Sequence, residues 1–417
     1  MCKIIFDLRL LYDTGLFLFV FVVKVASLFH DKARLFVAGR RNLFSRLGAV
    51  AQAGAPVAWF HCASLGEFEQ GRPVMEAYRA KYPQHKILLT FFSPSGYEVR
   101  KNYDGADFVF YLPIDTPRNA RRFVRTVKPV VAVFIKYEFW HNVLRHLEKA
   151  HVPAYVVSAV FRRRQIFFRW YGNFFRRMLH LFRLLFVQDE NSEALLHHIG
   201  IDNVMRVGDT RFDRVCAHVQ HPSDLPLVEA FAARSHTLVA GSTWPPDEEN
   251  LAHVWASMPV GTQLIIAPHE VGEERIRAIE KWFAAYHPVR YTKVKTAAAW
   301  QSARVLIVDT VGLLLSVYRY GQVAYVGGGF SATGIHNILE AAAYGLPVVF
   351  GPNYRKYVEA HALIAAGGAR SAGDVAALKD TLQSWLLHDE TRLAAGRLAA
   401  GYVKTNSGAT GKIMAWL

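Results

Sequence analysis

Cysteine and acidic residues are scarce in this 417-residue sequence. The three cysteines, at positions 2, 62 and 216, form no CxxC pair and no Cys/His cluster with metal-ligand spacing. A disulfide framework or a structural zinc site is therefore not expected, and a reducing compartment is favoured. Lysine and arginine number 49 against 34 aspartates and glutamates, a formal charge of +15. This surplus favours an anionic partner, such as a nucleic acid, a phospholipid or a phosphorylated substrate.

Long apolar runs are also rare, and the longest candidate lies near the N-terminus. Thr14 to Phe29 is apolar apart from Lys24, which is shorter than the roughly 20 residues of a full membrane span. No convincing signal-peptide cleavage site follows it. Basic residues come next, at Lys32, Arg34, Arg40, Arg41 and Arg46. We predict that residues 1–31 form an N-terminal membrane anchor with the body in the cytoplasm. An interfacial helix in the membrane plane and a buried helix are the alternatives.

The rest of the chain has the composition of a globular protein, with 52% hydrophobic and 20% charged residues. Strand-like apolar runs alternate with helical patterns in two series, which predicts two doubly wound α/β domains over residues 32–215 and 216–417. Ligands of such sheets bind beyond the carboxyl ends of the strands, so a cleft between the domains is the expected site. The predicted strands are Val57–Cys62, Lys86–Phe91, Phe108–Leu112, Val130–Ile135 and Ala154–Val157, then Thr237–Ala240, Gln263–Ala267, Val305–Val308, Val323–Val326 and Val348–Phe350.

Two carboxylates follow predicted strands of the first series. Glu67 lies in the loop Ala63–Glu67, directly after a strand and before a helix. Partial desolvation would raise its pKa and let it accept a proton from an alcohol. The alternative is a helix-start carboxylate that is favoured by the helix dipole. Glu138 follows the strand ending at Ile135, and its alternative is an ion pair with Lys136 or Arg145.

The second series contains a glycine-rich loop, Val326–Gly334, that connects a strand to a predicted helix carrying Glu340. Glycine permits close backbone approach, and a helix N-terminus offers N–H groups to a phosphate. The spacing matches neither a P-loop nor the dinucleotide fingerprint. Further candidate loops follow the other strands at 241–243, 268–270 and 309–312.

Phe161–Phe186 combines seven arginines with nine aromatic residues. Such a mixture can bind RNA through stacking and phosphate pairing. It also suits a membrane surface, where arginines contact anionic headgroups and aromatic rings enter the acyl boundary. A half-buried helix with a solvated basic face is the third interpretation. The apolar N-terminus favours lipid over nucleic acid.

Several segments, in order along nearly the whole chain, resemble the 3-deoxy-D-manno-octulosonic acid (Kdo) transferases of lipopolysaccharide synthesis. They are ASLGE (63–67), TFFSPSG (90–96), the Glu-Phe-Trp-x-Asn run (138–142), GDTRFD (208–213) and the segment 326–352. The resemblance implies a GT-B fold of two Rossmann-like domains that face a cleft. It implies CMP-Kdo as donor, a lipid A precursor as acceptor and inversion of the anomeric configuration. It implies no metal and no cofactor, and it places the enzyme on the cytoplasmic side of the inner membrane, in contact with anionic lipids.

The same resemblance assigns roles to individual residues. Glu67 matches the family's general base, which accepts the proton of the acceptor hydroxyl. Ser64, Gly66, Glu138 and Arg211 are expected to contact the acceptor, a phosphate or the Kdo carboxylate. The expected donor-binding residues are Ser242, Pro268, His269, Thr310, Val311, Gly312, Gly328, Gly329, Asn337 and Glu340. We expect the last helix to pack back on the N-terminal domain.

This chain departs from the family pattern at several donor-site positions. His269 stands where the family has arginine, Arg211 where it usually has lysine, and Leu313 where it has glutamate. These departures affect individual donor contacts. Two other functions stay open: a GT-B enzyme that uses a different nucleotide sugar, and a non-catalytic protein that binds anionic lipids at a membrane surface.

Overall fold

The computed structural model describes residues 2–295 and 302–417, with side chains from residue 8 onward, and it divides into two compact units. The first unit extends to Asp213 and includes Gly408–Leu417, and the second covers Arg214–Ser407. Each unit contains one seven-stranded parallel sheet with helices between its strands. The predicted α/β class with two Rossmann-like units is confirmed.

The strands of the first sheet are ordered β3-β2-β1-β4-β5-β6-β7, and those of the second are ordered β10-β11-β9-β8-β12-β13-β14. The first set is β1 Val57–Cys62, β2 Lys86–Phe91, β3 Phe108–Tyr111, β4 Pro129–Ile135, β5 Ala154–Ala159, β6 Leu184–Val187 and β7 Val204–Arg206. The second set is β8 Thr237–Thr243, β9 Gln263–Pro268, β10 Val289–Arg290, β11 Val305–Ile307, β12 Val323–Val326, β13 Val348–Phe350 and β14 Ala369–Ser371.

The helices alternate with these strands along the chain. Up to the unit boundary they are α1 Cys2–Ala26, α2 Asp31–Ala38, α3 Leu43–Arg46, α4 Gly48–Ala51, α5 Leu65–Lys81, α6 Pro94–Arg100, α7 Pro117–Val127, α8 His141–Lys149, α9 Asn173–Leu179, α10 Glu190–His198 and α11 Thr210–Gln220. They continue as α12 Pro226–Ala232, α13 Pro245–Trp255, α14 Glu273–Trp282, α15 Leu314–Val317, α16 Leu339–Ala343, α17 Val358–Ala365, α18 Val375–Leu387, α19 Asp389–Thr405 and α20 Ala409–Met414. Short 3-10 turns cover Ile166–Phe168, Ala284–Tyr286, Tyr291–Lys293 and Tyr318–Tyr320.

The inner strands are buried on both faces, which explains their nearly continuous apolar sequences. All six residues of β1 are buried, and Trp59 packs edge-on against Phe123 and Phe134 at 4.8 and 5.0 Å between ring centroids. The sequence analysis missed β6, β7, β10 and β14. β6 lies inside the arginine-rich segment Phe161–Phe186, where the basic residues obscured a four-residue buried strand. The other three are edge strands of two or three residues.

The predicted apolar segment at the N-terminus lies in helix α1 and the turn that follows it. Many of its large side chains are exposed, including Phe17, which is 76% accessible, with Leu18, Phe21 and Val22. Tyr12 contacts the rest of the unit, where its hydroxyl donates a 2.8 Å hydrogen bond to Asp115. Across residues 2–295 and 302–417, no helix has both the length and the apolar character required to cross a membrane.

The C-terminal helix α20 packs on the first unit, although the chain reaches it after the whole second unit. Ala409 and Ile413 are fully buried in the same core cluster as Phe60 and Val74. Asp213 accepts hydrogen bonds from the backbone N–H groups of Gly408 and Thr410 and from the Thr410 hydroxyl. One carboxylate therefore satisfies two donors at the start of this helix.

The ends of β12 and β13 approach each other through two glycines. A β-carbon placed on Gly329 would lie 2.4 Å from the Gly351 nitrogen, and one placed on Gly351 would lie 2.6 Å from the Gly329 carbonyl carbon. Both obstacles are backbone atoms, which cannot rotate away as a side chain can. Close backbone packing therefore requires glycine at position 329 of the glycine-rich loop and at position 351 after β13.

We predict that Asp213→Ala lowers the free energy of unfolding by about 1–2 kcal/mol, because two helix N-terminal donors lose their acceptor. Limited proteolysis should then cleave before α20 faster than in the parent protein. Asp202→Ala, an exposed acid of the same unit, is the control. Equal cleavage rates in the parent protein and Asp213→Ala would contradict this role.

We predict that Gly329→Ala lowers the free energy of unfolding by about 1–3 kcal/mol, because its new methyl group collides with backbone. Gly373→Ala is the matched control, since a β-carbon there has no atom within 4 Å. Chemical denaturation of both variants provides the measurement. A Gly329→Ala protein as stable as Gly373→Ala would show that the loop can move apart without cost.

Candidate active site

Glu67 lies at the carboxyl end of β1, where the chain turns into α5. It is the third residue of the helix, and its carboxylate turns back to accept a hydrogen bond from the Ala63 N–H. A glutamate at this position satisfies a free backbone donor at the helix start. The sequence left open a helix-start role and a chemical role for Glu67, and the local geometry is compatible with both.

The surroundings of Glu67 favour its neutral form. Burial and the nearby Glu138 raise the pKa of the Glu67 carboxyl to about 7, although the Ala63 N–H and Lys136 oppose this shift. A carboxylate that becomes protonated near neutral pH is much more basic than an ordinary surface glutamate. Such a group can both accept and release a proton under physiological conditions.

Glu138 belongs to a buried hydrogen-bond network and not to an ion pair with Lys136 or Arg145. His61 Nε2 lies 2.9 Å from Glu138 Oε2, and the Trp140 indole N–H donates to the same oxygen at 2.8 Å. His61 Nδ1 lies 2.9 Å from the Thr90 hydroxyl. The Thr90 carbonyl oxygen also lies 3.1 Å from His61 Nδ1, so both ring nitrogens of His61 face polar partners. The ion-pair alternative for Glu138 is therefore wrong.

Lys136 is a cation at the same edge of the first sheet. From the sequence it was considered only as a possible ion-pair partner of Glu138. It follows β4 with a left-handed backbone (φ 69°), and β4 pairs directly with β1. Burial lowers the pKa of the Lys136 amine, while Glu67 and Asp209 favour its charged form. A lysine with φ above zero after a strand is uncommon, and this conformation places it at the edge that carries Glu67.

Arg211, a predicted phosphate or carboxylate contact, is bound to an acid of the protein itself. Its Nε and terminal nitrogen lie 2.8 and 2.7 Å from Asp209 Oδ2. A guanidinium held this way keeps a fixed orientation but carries less free charge toward a ligand. Ser64 and Gly66 lie beside Glu67, as the first residue before α5 and the second within it.

The predicted donor-binding residues gather at one edge of the second sheet. Each follows or ends one of four adjacent strands, β11, β9, β8 and β12, whose carboxyl ends point the same way. Ser242 has a left-handed backbone (φ 53°) near the end of β8, and Gly312 does too (φ 92°) in the loop after β11. The remaining members are Pro268, His269, Thr310, Val311, Gly328, Gly329, Asn337 and Glu340.

At this edge His269 stacks on two rings that lie side by side, Trp244 and His336. Its centroid is 4.8 Å from that of Trp244 and 4.5 Å from that of His336. The Trp244 indole donates a 2.8 Å hydrogen bond to His336 Nε2, which must therefore be an unprotonated acceptor. Burial and the nearby His269 lower the pKa of His336 to about 4. Trp244 was missed by the sequence analysis, although it directly follows a candidate loop.

Asp247 holds the glycine-rich loop in place through a hydrogen bond to its backbone. The buried carboxylate accepts hydrogen bonds from the backbone N–H groups of Gly328 (2.7 Å) and Trp244 (2.9 Å) and from the Tyr325 hydroxyl (2.6 Å). The Gly328 N–H is thus already bonded to a carboxylate. The expected helix after the loop begins only at Leu339, and Asn337 Nδ2 donates to Glu340 at its start.

Asp309 belongs to a local turn in this unit. Its carboxylate accepts hydrogen bonds from the backbone N–H and the hydroxyl of Thr292. Val311, two residues later, is 75% exposed. Among the residues that the structure describes, no group of three or more His, Cys, Asp or Glu side chains has a geometry that could hold a metal ion.

Comparison with known proteins links this geometry to one family. Residues 41–214 match the family model described as 3-deoxy-D-manno-octulosonic-acid transferase (kdotransferase). The 3-deoxy-D-manno-octulosonic acid transferase of Aquifex aeolicus is 28% identical over 304 residues, which are 72% of this chain and 76% of that protein. The Bordetella pertussis protein of the same name is 27% identical over 408 residues, 88% of each chain.

The solved structures agree at the level of the fold. UDP-GlcNAc 2-epimerase from Neisseria meningitidis superposes with a TM-score of 0.59 at 14% identity, covering 86% of this chain and 98% of that one. This likeness confirms the GT-B class, since both proteins consist of paired Rossmann-like units. The motifs, the family match over residues 41–214 and relatives that extend along most of the sequence agree: the chain is a glycosyltransferase that resembles the Kdo transferases.

Proposed function

We propose that the protein transfers Kdo from CMP-Kdo to a lipid A precursor in lipopolysaccharide synthesis, with inversion and with Glu67 as general base. One observation carries the proposal beyond the family assignment. The carboxyl of Glu67 has a pKa raised to about 7 and lies at the ligand-binding edge of a parallel sheet. A carboxylate with this pKa is a more effective base toward an alcohol at neutral pH than an ordinary glutamate.

The reaction is a single displacement. The Glu67 carboxylate accepts the proton of the acceptor hydroxyl while the hydroxyl oxygen forms a bond to the Kdo anomeric carbon. The bond from that carbon to the CMP phosphate oxygen breaks, and CMP leaves with the electron pair. Attack from the face opposite the leaving group inverts the anomeric centre, and one base is sufficient for such a step.

Lys136 and Glu138 set the basicity of Glu67 in opposite directions. Glu138 disfavours a second negative charge nearby, whereas Lys136 stabilises it. The hydrogen bonds from His61 and Trp140 hold the Glu138 carboxylate in place. In this mechanism Glu138 is a positioning residue, which acts on the reaction through Glu67.

Neutral and aromatic groups dominate the proposed donor edge of the second unit. His269, which replaces the family's arginine, stacks on both Trp244 and His336, which are hydrogen-bonded to each other. The departing group carries one phosphate, so a few N–H donors and a histidine are adequate to stabilise it. Asn337 and Glu340 supply further hydrogen-bonding groups beside the loop.

We also propose that the protein works on the cytoplasmic side of the inner membrane. The exposed apolar side chains of α1 and the basic residues that follow it support this location. A lipid acceptor would in any case be presented at a membrane surface. The α1 helix, lying in the membrane plane, would keep the first unit close to that surface.

We predict that Glu67→Gln reduces Kdo transfer by roughly 10²–10⁴-fold, because it removes the proton acceptor. Mass spectrometry of a tetraacylated, bisphosphorylated lipid A precursor incubated with CMP-Kdo in detergent gives the readout. Glu76→Gln, an exposed acid on the same helix, is the matched control. Wild-type protein that transfers no Kdo, although folded, would refute the proposed reaction, and an active Glu67→Gln would refute the base.

The same variant has an expected effect on stability. A carboxyl whose pKa is raised by folding stabilises the protein at acidic pH, and this contribution is lost as the pH rises through about 7. Glu67→Gln should therefore raise the free energy of unfolding at pH 8 by roughly 1–3 kcal/mol. This gain shows that lost activity does not come from unfolding.

We predict that the kcat/KM of the wild-type protein rises with pH, with the midpoint of the rise near pH 7. Glu138→Gln should move this midpoint to lower pH. The amide keeps an oxygen for His61 and Trp140 but removes the negative charge that raises the pKa of Glu67. Transfer rates between pH 5 and 9 provide the measurement. An unchanged or higher midpoint would show that Glu138 does not tune the base.

A further inference from the structure

A cavity of about 790 Å³ in the first unit has a strongly basic lining that the proposed reaction does not use. Three arginines, Arg163, Arg169 and Arg176, line it together with His198. Asn191 is the other polar lining residue, and no carboxylate is among the lining side chains. We call this space the basic cavity.

The basic cavity lacks the acids that usually accompany arginines in a folded protein. The Nε atom of Arg176 is buried and has no hydrogen-bond partner. Among the described residues, no ion pair is found for Arg163, Arg169 or Arg176, whereas nearby Arg206 pairs with Glu190 at 2.9 Å. A buried guanidinium nitrogen without a partner is costly, so this arrangement points to an anion supplied from outside the protein.

The wall of the basic cavity is partly apolar. Phe168, Leu195 and Ile199 line it beside the arginines. Trp170 is 90% exposed at the same place, and Tyr171 next to it is about half exposed. Exposed tryptophan and tyrosine beside arginines are typical of surfaces that lie at the headgroup level of a membrane.

An apolar groove of about 320 Å³ adjoins the same helix. Leu8, Leu11 and Leu16 of α1 form one side of it, and Phe174 and Phe175 of α9 form the other. Arg176, the next residue of α9, lines the basic cavity. The short helix α9 thus separates an acyl-sized apolar groove from a cluster of cations.

We propose that these two spaces form one binding site for a phosphate-bearing membrane lipid, with the phosphate in the basic cavity and an acyl chain in the apolar groove. Arginine guanidinium groups pair with phosphate oxygens through two parallel hydrogen bonds. The exposed apolar side chains of α1 continue the groove toward the acyl region of a bilayer. A soluble phosphate would make no use of the groove, and a single-stranded RNA would make no use of α1.

This inference rests on the proposed function, since a lipid acceptor requires the first unit to stay at a membrane. It nevertheless concerns binding and not the transfer reaction. The site is formed by α1, α9, α10 and the 3-10 turn between β5 and α9, whereas Glu67 lies after β1. Its test therefore contains neither CMP-Kdo nor a lipid A precursor.

The experiment measures binding of the full chain to phosphatidylcholine vesicles with and without phosphatidic acid. Arg163→Gln/Arg169→Gln/Arg176→Gln should weaken binding to the phosphatidic acid vesicles by roughly 10- to 100-fold, because each arginine near an anionic surface contributes to the attraction. The control Arg118→Gln/Arg121→Gln/Arg125→Gln removes the same charge from α7 of the same unit. It should weaken binding by less than about 3-fold, the residual expected from charge screened over a Debye length.

Three results would overturn the proposal. Equal losses in the two triple variants would show that net charge alone attracts the membrane. Inorganic phosphate or glycerol 3-phosphate that binds as tightly as the vesicles would make this a site for a soluble phosphate. An RNA oligonucleotide that depends on the three arginines, while vesicle binding does not, would assign the surface to nucleic acid.

Two further variants keep the test decisive. Arg163→Gln/Arg169→Gln spares the part-buried Arg176 and should still weaken vesicle binding by roughly 10-fold if the triple variant does not fold. Leu11→Ser should weaken binding to long-chain phosphatidic acid and leave a soluble short-chain form unaffected, because only the long chain reaches the groove. Kdo transfer in detergent, measured separately, reports on the proposed function whatever the vesicles show.

Discussion

The hydrogen bond between His61 and Glu138 is the interaction on which the reactive edge depends. It brings a carboxylate into a nearly dry position beside a second carboxylate, Glu67, without leaving either donor or acceptor unsatisfied. Without the N–H groups of His61 and Trp140, burial of the Glu138 carboxylate would be strongly unfavourable. The charge of this carboxylate is one of the causes that raise the pKa of Glu67. The pKa of Glu67 is therefore set from inside the sheet, through β1 and β4, and not from the solvent side.

The same network explains which parts of the site the sequence could predict. Glu67 and Glu138 follow strands with clear apolar patterns, and the parallel topology places strand ends at one edge, so both were identified as edge carboxylates. The partner of Glu138 was not, because His61 lies within an apolar strand where a histidine carries no sign of its hydrogen bonds. The left-handed backbone of Lys136 is equally invisible in a sequence, since it depends on how β4 ends. The local sequence pattern predicts where a residue lies on a strand or loop, whereas its hydrogen-bond partner depends on tertiary packing.

In the second unit, the sequence identified the loops but not the groups that hold them. Strand periodicity and glycine spacing located the residues after β8, β9, β11 and β12. Asp247 and Trp244 fall in the N-terminal turn of α13 and before it, where polar and aromatic residues are common and carry no distinctive signal. Only the folded structure shows that Asp247 accepts a hydrogen bond from the Gly328 N–H and that Trp244 donates one to His336. A side chain that supports a binding loop from below is hard to find because the ligand never touches it.

The segment Phe161–Phe186 contributes aromatic side chains to the core and arginine side chains to the surface. Phe161, Phe167, Phe174 and Phe182 are core residues, and the strand β6 at its end is fully buried. The segment is therefore neither one half-buried helix nor one continuous interfacial surface. It consists of a turn, a short helix and a strand. Most of its arginines remain outside because burying a guanidinium without a partner is costly, and the aromatic rings hold the backbone that carries them. A basic surface that rests on an aromatic core is rigid, so its charges stay clustered. Clustered arginines bind an anion more strongly than the same number on mobile loops, because less conformational entropy is lost on binding.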